Sequence, residues 1–255
     1  MIEVRPDADP YAPIADLYAA EHDLWVDDIP MYLALAERTS GPILDLACGT
    51  GRVGLHLAEA NNEVHGLDVS GALLTIAQKR FHERSVQIEL RQGDMRDLPD
   101  SPKFGAVFCA LDSFLHLTSI EEQLTTLVGV RRVLEPGGFL ALDVFNPTID
   151  RLTTNDGALQ TQGCFIGPDN AHVTHFVSWE IDPGTQQIDA THFYDVVGTN
   201  GDLCRHFTQM KLKYIYRFEL ELALRCAGFT HIEVYNSPAL DPFDGLQDRL
   251  VIVAN

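Results

Sequence analysis

The chain has 255 residues, 45% of them hydrophobic, and a formal net charge of −19. That is enough apolar material for one sizeable core with a decorating subdomain. It is too acidic to grip phosphodiester backbones or anionic membrane surfaces, which require Lys/Arg stripes, so neither nucleic acid nor membrane is expected as a partner. Cys48, Cys109, Cys164, Cys204 and Cys226 are scattered, with no C-x-x-C pair, and point to neither a disulfide framework nor a zinc site. Cys48 and Cys109 sit in apolar strand contexts and are expected to be buried thiols. No basic segment followed by an apolar one opens the chain, and no apolar run reaches membrane-spanning length, so a cytoplasmic location is expected.

In chain order, residues 1–9 read as a loose tail. Tyr11 to Ala19 and Asp28 to Arg38 carry helical patterns, with Ile14, Leu17 and Tyr18 on one face. Ile43 to Leu46 is an apolar run suited to a parallel strand covered on both faces. Gly49 and Gly51 then form a tight turn that a ligand can approach, and a helix follows through Val53, Leu55 and Leu57. The free N–H groups at that helix start attract an anionic group. Gly49-x-Gly51-x-x-Gly54 also fits the dinucleotide fingerprint. A second strand, Glu63 to Ser70, ends in Asp68, where such a unit places a carboxylate over a ribose. Ser70 is the expected N-cap of a helix running to about Arg84. A third strand, Val86 to Gln92, ends in Gly93-Asp94-Met95, which the dinucleotide fingerprint does not contain.

Phe104 to Leu111 reads as a fourth strand, followed by Asp112 to Leu117 at the sheet edge where ligands sit. Ser119 to Leu134 is a helix, Phe139 to Val144 a fifth strand, and residues 150–170 a loop. Then the period changes to two. His172 to Ile181, Gln186 to Val197 and Leu203 to Tyr216 form an antiparallel three-stranded insertion with turns between. In the third strand Arg205, Lys211 and Lys213 share one face, and His206, Thr208, Met210, Leu212, Tyr214 and Tyr216 the other. A helix from Phe218 to Ala227 stops at Gly228, and two strands, Thr230 to Tyr235 and Arg249 to Ala254, close the chain.

Asp45-x-x-Cys48-Gly49-Thr50-Gly51, Gly66-x-Asp68-x-Ser70, Gly93-Asp94-Met95 and Leu134-Glu135-Pro136-Gly137-Gly138 resemble, in order and spacing, the class I S-adenosylmethionine-dependent methyltransferases. The resemblance runs from Tyr11 to the C-terminus. It implies a Rossmann-like α/β fold with a seven-stranded, mostly parallel sheet, a terminal antiparallel hairpin and an inserted three-stranded antiparallel cap. One methyltransferase domain would comprise a helical lid at 10–40, a cofactor core at 41–148, the cap at 171–216 and a last helix with hairpin at 217–255. The insertion, with its Arg205-His206-Phe207-Thr208 and Tyr216-Arg217-Phe218-Glu219 runs, is similar to small-molecule N-methyltransferases acting on nucleotide-linked amino sugars.

The resemblance implies S-adenosylmethionine as cofactor. Asp68 would accept from its ribose hydroxyls, Val69 would pack on the adenine, and Asp94 with the Met95 N–H would meet the adenine edge. Ala47, Gly49 and Gly51 would line the methionine moiety, the Leu111 carbonyl would take the ammonium, and Tyr18 would close from the lid or serve as an amphipathic packing residue. Ala47 stands where many relatives have glycine. Asp45, a carboxylate inside an apolar strand, is expected to hold loop N–H groups. Methyl transfer is an in-line displacement that mainly requires alignment and shielding from water. His116 is the candidate base after the fourth strand, or an ordinary loop histidine. Tyr214 and Arg217 are candidates for gripping an anionic acceptor, if Arg217 turns inward. His172, His175 and His192 are expected to face solvent or packing, with no metal bound. A small-molecule acceptor and a homodimer are expected. An NAD-dependent oxidoreductase, an RNA or protein methyltransferase, and a non-catalytic cofactor-binding module remain as alternatives.

Overall fold

The computed structural model describes residues 9–154 and 157–255. The expected tail therefore lies outside the described residues apart from Asp9. In chain order the core elements are α1 (Ala15–His22), α2 (Ile29–Ala36), β1 (Ile43–Leu46), α3 (Arg52–Glu59), β2 (Val64–Asp68), α4 (Gly71–Glu83), β3 (Glu89–Gln92), β4 (Phe104–Cys109), α5 (Ile120–Val133) and β5 (Leu134–Phe145). After α6 (Ile149–Thr154) come β6 (Gln160–Ile166), β7 (His172–Asp182), β8 (Gln187–Val197) and β9 (Leu203–Lys213). Then α7 (Arg217–Cys226), β10 (Ile232–Tyr235) and β11 (Arg249–Ala254) complete the chain.

Seven strands form one sheet in the order β10-β11-β5-β4-β1-β2-β3. The five from β5 to β3 run parallel; β11 is antiparallel to β5 and to β10. Strand β1 is buried throughout because helices cover both faces. On one face Leu44 and Leu46 join Val107, Leu142, Val130 of α5 and Leu224 of α7. On the other Ile43 joins Phe108, Tyr32 of α2 and Leu57 of α3. The chain turns from β1 to β2 on one side and to β4 on the other, so a crevice opens beyond the C-terminal ends of β1 and β4. Two N-caps hold helices beside it. Ser70 accepts from the Leu73 N–H, and Ser119 with Glu122 forms a capping box at the head of α5.

The second sheet has four strands, β6-β7-β8-β9, one more than expected. Strand β6 and helix α6 occupy what reads as a loop at 150–170. The sequence signal for β6 is weak because the register shifts between Thr161 and Gly163, breaking the period of two. The outer face of the cap carries cross-strand ion pairs in register, Arg205 with Asp195 at 2.5 Å and Lys211 with Asp189 at 2.5 Å. Its inner face is seated on the lid, where Ile14 and Leu17 pack against Phe165, Val173, Tyr194 and Met210. Cys48 and Cys109 are both buried. Among the described residues no helix is long and apolar enough to cross a membrane.

Candidate active site

The turn after β1 is built from left-handed residues: Ala47 at φ 58°, Gly49 at φ 55° and Gly51 at φ 72°. Asp68, at the tip of β2, fixes it. One carboxylate oxygen accepts from the Gly49 N–H at 2.7 Å, the other from the Ser70 N–H at 2.7 Å. Burial pushes the Asp68 carboxyl above its ordinary range, and these bonds partly offset that. Asp45 accepts from the Gly54 N–H in the first turn of α3 at 2.9 Å, and burial raises its pKa to about 7. It therefore holds the helix start, as a carboxylate in an apolar strand must.

Two chambers open at the C-terminal edge of the sheet. The first, about 410 Å³, is lined by Ala47, Gly49, Asp68, Val69, Asp94 and Met95, among others. Val69 is 62% exposed at its rim, an apolar surface with room for a flat ring beside the buried Asp68. Asp94 bonds Arg96 at 2.5 to 3.0 Å, and that guanidinium holds its carboxyl below the usual range, so it is ionised. A bare backbone turn, a buried carboxylate, an apolar rim and an ionised carboxylate in one cavity fit the methionine, ribose and adenine parts of S-adenosylmethionine in turn.

The second chamber, about 340 Å³, lies between the lid, the end of β4 and the inner face of the cap. Its walls include Phe165, Val177, Trp179 and Met210. Tyr11, Tyr18 and His116 line both chambers. Tyr11 Oη meets His116 Nε2 at 3.0 Å, and Tyr18 stacks on His22 with ring centroids 3.8 Å apart. Burial lowers the pKa of both His116 and His22 to about 4, so both rings are neutral at pH 7. Leu111 at φ 46° and Asp112 at φ 66° form a strained turn after β4. Asp112 is anchored by the Phe145 N–H at 2.5 Å and by Arg249 at 3.1 Å.

Of the residues singled out from sequence, Tyr18, Ala47, Gly49, Asp68, Val69, Asp94 and Met95 come together around the first chamber. Gly51 stands behind it as the N-cap of α3, against Phe81. Leu111 lines the second chamber, and His116 lines the wall between the two. Tyr214 and Arg217 line neither. Because β9 ends at Lys213, Tyr214 turns into the core beneath the cap, edge-on to Tyr216 at 5.6 Å, and burial lifts its pKa to about 12. Arg217 does not turn inward. It pairs with Glu221 one helical turn on, at 2.7 Å, and lies over Phe218 and Phe243. Lys213 differs from Arg205 and Lys211, with which it shares a strand face. It is 8% exposed and donates to the Thr185 carbonyl at 2.5 Å.

His175 and His192 correct another expectation, since both line the second chamber rather than facing solvent or plain packing. His175 Nδ1 meets Glu21 at 2.7 Å, His175 Nε2 meets His192 Nδ1 at 3.0 Å, and the Tyr194 hydroxyl donates to Glu21 at 2.9 Å. The signal was present: in β7 His175 occupies the inward phase set by Val173 and Val177.

A sequence profile described as a methyltransferase domain matches residues 43–138. The dTDP-3-amino-3,4,6-trideoxy-alpha-D-glucopyranose N,N-dimethyltransferase of Streptomyces venezuelae is 30% identical over 212 residues, covering 83% of each chain. The CcbJ methyltransferase of Streptomyces caelestis superposes with a TM-score of 0.79 at 23% identity, over 97% of this chain and 99% of that one. The sugar N-methyltransferase KedS8 of Streptoalloteichus sp. gives a TM-score of 0.74 at 21% identity, over 99% and 96%. With the acid-tipped strands, the glycine turn and the paired chambers in place, this chain belongs to the class I S-adenosylmethionine-dependent methyltransferases.

Proposed function

We propose that the second chamber holds a small amine acceptor, an amino sugar carried on a nucleotide, and that the chain methylates its nitrogen. The observation that carries this reading is the shared wall. Tyr11, Tyr18 and His116 are reached from both chambers, so an acceptor in one lies next to a methyl donor in the other. An outer groove of about 740 Å³ adjoins the second chamber through Arg151, Gln162 and Trp179, which line both. It has room for a tail much larger than a sugar. Arg151 lies over Phe145 at 4.4 Å and Trp179 at 5.4 Å, a cationic and aromatic entrance suited to a phosphate-bearing tail.

S-adenosylmethionine supplies a methyl group on positively charged sulfur. Asp68 would hold its ribose hydroxyls, Val69 the adenine face, and Asp94 with the Met95 N–H the adenine edge. Ala47 and Gly49, on the first chamber, would hold its amino acid end. The lid excludes water through Tyr11 and Tyr18, and the neutral His116, fixed by Tyr11, orients the acceptor nitrogen. The net charge of −19 supports an acceptor that is not a nucleic acid. Phe218 and Leu222, exposed one turn apart on α7, support a homodimer through that helix.

The test is incubation with S-adenosylmethionine and dTDP-3-amino-3,4,6-trideoxy-α-D-glucopyranose, followed by mass spectrometry. A gain of one or two methyl groups is expected. No gain, with transfer to a hydroxyl-bearing analogue instead, would overturn the amine reading.

A further inference from the structure

Glu21, His175 and His192 come from three elements and meet on the inner wall of the second chamber. Glu21 lies in α1, His175 in β7 and His192 in β8. The contacts form one line: Glu21 Oε1 to His175 Nδ1 at 2.7 Å, then His175 Nε2 to His192 Nδ1 at 3.0 Å. The Tyr194 ring is stacked on His175 at 4.3 Å and its hydroxyl donates to the other oxygen of Glu21 at 2.9 Å, which fixes both groups. His175 is 6% exposed.

With His175 neutral, the hydrogen-bonding capacities set the tautomers. Burial pushes the Glu21 carboxyl up, but the bonds from His175 and Tyr194 outweigh it and hold the group ionised, so it only accepts. His175 Nδ1 must then donate to it. In a neutral His175 the Nε2 lone pair accepts, so His192 Nδ1 donates. Burial lowers the His192 pKa to about 4, so that ring is neutral and its Nε2 carries a lone pair. Among the described residues Nε2 of His192 has no hydrogen-bond partner. His116 differs, because its Nε2 is already engaged by Tyr11.

We infer that the Glu21–His175–His192 line makes His192 Nε2 the proton acceptor for a protonated amine bound in the second chamber; the inference rests on that chamber being the acceptor site. The N–H bond of the ammonium breaks, its electron pair stays on nitrogen as the nucleophile, and the proton moves to His192 Nε2. The low basicity of His192 in the empty chamber is offset in two ways: burial of the ammonium in the same chamber weakens its hold on its proton, and the charge left on His192 faces Glu21 through His175. His192 would touch the acceptor and is the catalytic residue. Glu21 and His175 are positioning residues.

Long-range proton–nitrogen spectra of the intact ligand-free protein at pH 8 test the line directly. His192 is expected with hydrogen on Nδ1 and a bare Nε2. Glu21→Gln, whose amide can also donate, is expected to move the His192 signals toward the opposite tautomer. Hydrogen on Nε2 in the wild type, or His192 signals unmoved in E21Q, overturns the inference. With the amino-sugar nucleotide as acceptor, His192→Phe is expected to lower kcat by tenfold or more. Calorimetric affinity for S-adenosylmethionine should stay within twofold, since His192 does not line the first chamber; that affinity also shows that the variant is folded. An unchanged kcat in H192F overturns the proton-acceptor role. Failure of the wild type to methylate that acceptor sinks the amino-sugar reading instead, and the nitrogen signals still decide the line.

Discussion

Tyr11 Oη and His116 Nε2 stand 3.0 Å apart, bridging 105 positions of sequence and closing the wall between the two chambers. The bond joins the N-terminal segment to the turn after β4, so the orientation of the histidine depends on the seating of that segment. Tyr11→Phe removes it without emptying the space. The expected result is a fall in kcat of about tenfold, the rate equivalent of one hydrogen bond of roughly 1.4 kcal/mol. Steady-state kinetics on the methylated acceptor measure it, and a wild-type rate would show the pair to be packing alone.

The same histidine gives a pH signature. Its pKa is lowered from an ordinary 6.5 to about 4, so between these values the unfolded chain binds more protons at this site than the folded one. His116 costs no stability above pH 6.5. Its cost grows as pH falls from 6.5 to 4 and levels off below. The buried acids Asp45 and Asp143, raised to about 7 and about 6, act in the opposite sense, so the comparison must isolate the histidine. His116→Asn should gain stability relative to wild type as pH drops through that window, read from urea midpoints. A constant difference from pH 7 to 4 would contradict the assignment.

Asp68→Ala should weaken S-adenosylmethionine binding by ~1.5–3 kcal/mol, the scale of a lost hydrogen bond to a charged group. Asp68→Asn keeps one accepting oxygen for the Gly49 or Ser70 N–H and should lose less. Calorimetric titration reads both, and NAD should give no heat with any form.

Asp28 and Arg52 make a two-pronged pair at 2.6 Å and 2.6 Å, with the residues 6% and 8% exposed. Asp28→Asn leaves the guanidinium buried without its counter-charge. The expected cost is about 3 kcal/mol, the low end for breaking a buried pair. That corresponds to a melting temperature lower by roughly 6–12 °C for a chain of this size. Arg52 also donates to the Trp25 carbonyl at 2.7 Å, and Trp25 lines the second chamber. A raised acceptor KM should accompany the lower melting temperature.

Two substitutions in the glycine turn should have opposite signs. In Gly51→Ala the new Cβ would lie 2.3 Å from Phe81 Cζ at φ 72°. Left-handed strain and overpacking together should cost about 2–4 kcal/mol. Phe81→Leu in the same chain should recover part of it. Ala47→Gly relieves the strain of φ 58° at some cost in unfolded-chain entropy, and should stabilise by roughly 0.5–1 kcal/mol. Thermal denaturation measures each.

The sequence by itself determined the parallel core and singled out residues that line the first chamber. Strand, turn and helix follow one another within a few residues at Ile43–Arg52 and at Val64–Ser70, so periodicity and glycine placement set the local backbone with little help from distant contacts. Asp68 lies at the C-terminal tip of a parallel strand, and the C-terminal tips of the parallel strands face the same crevice. The tertiary structure alone decided the second chamber. Glu21 and His175 are 154 positions apart, and no pattern within either segment says that they meet. Arg217 is the converse case: its anchoring role was inferred from residue type, but β9 stops at Lys213 and Glu221 stands one turn away to neutralise it. Where a side chain points at the end of a strand depends on the chain's exit and its nearest opposite charge, and both are set by packing.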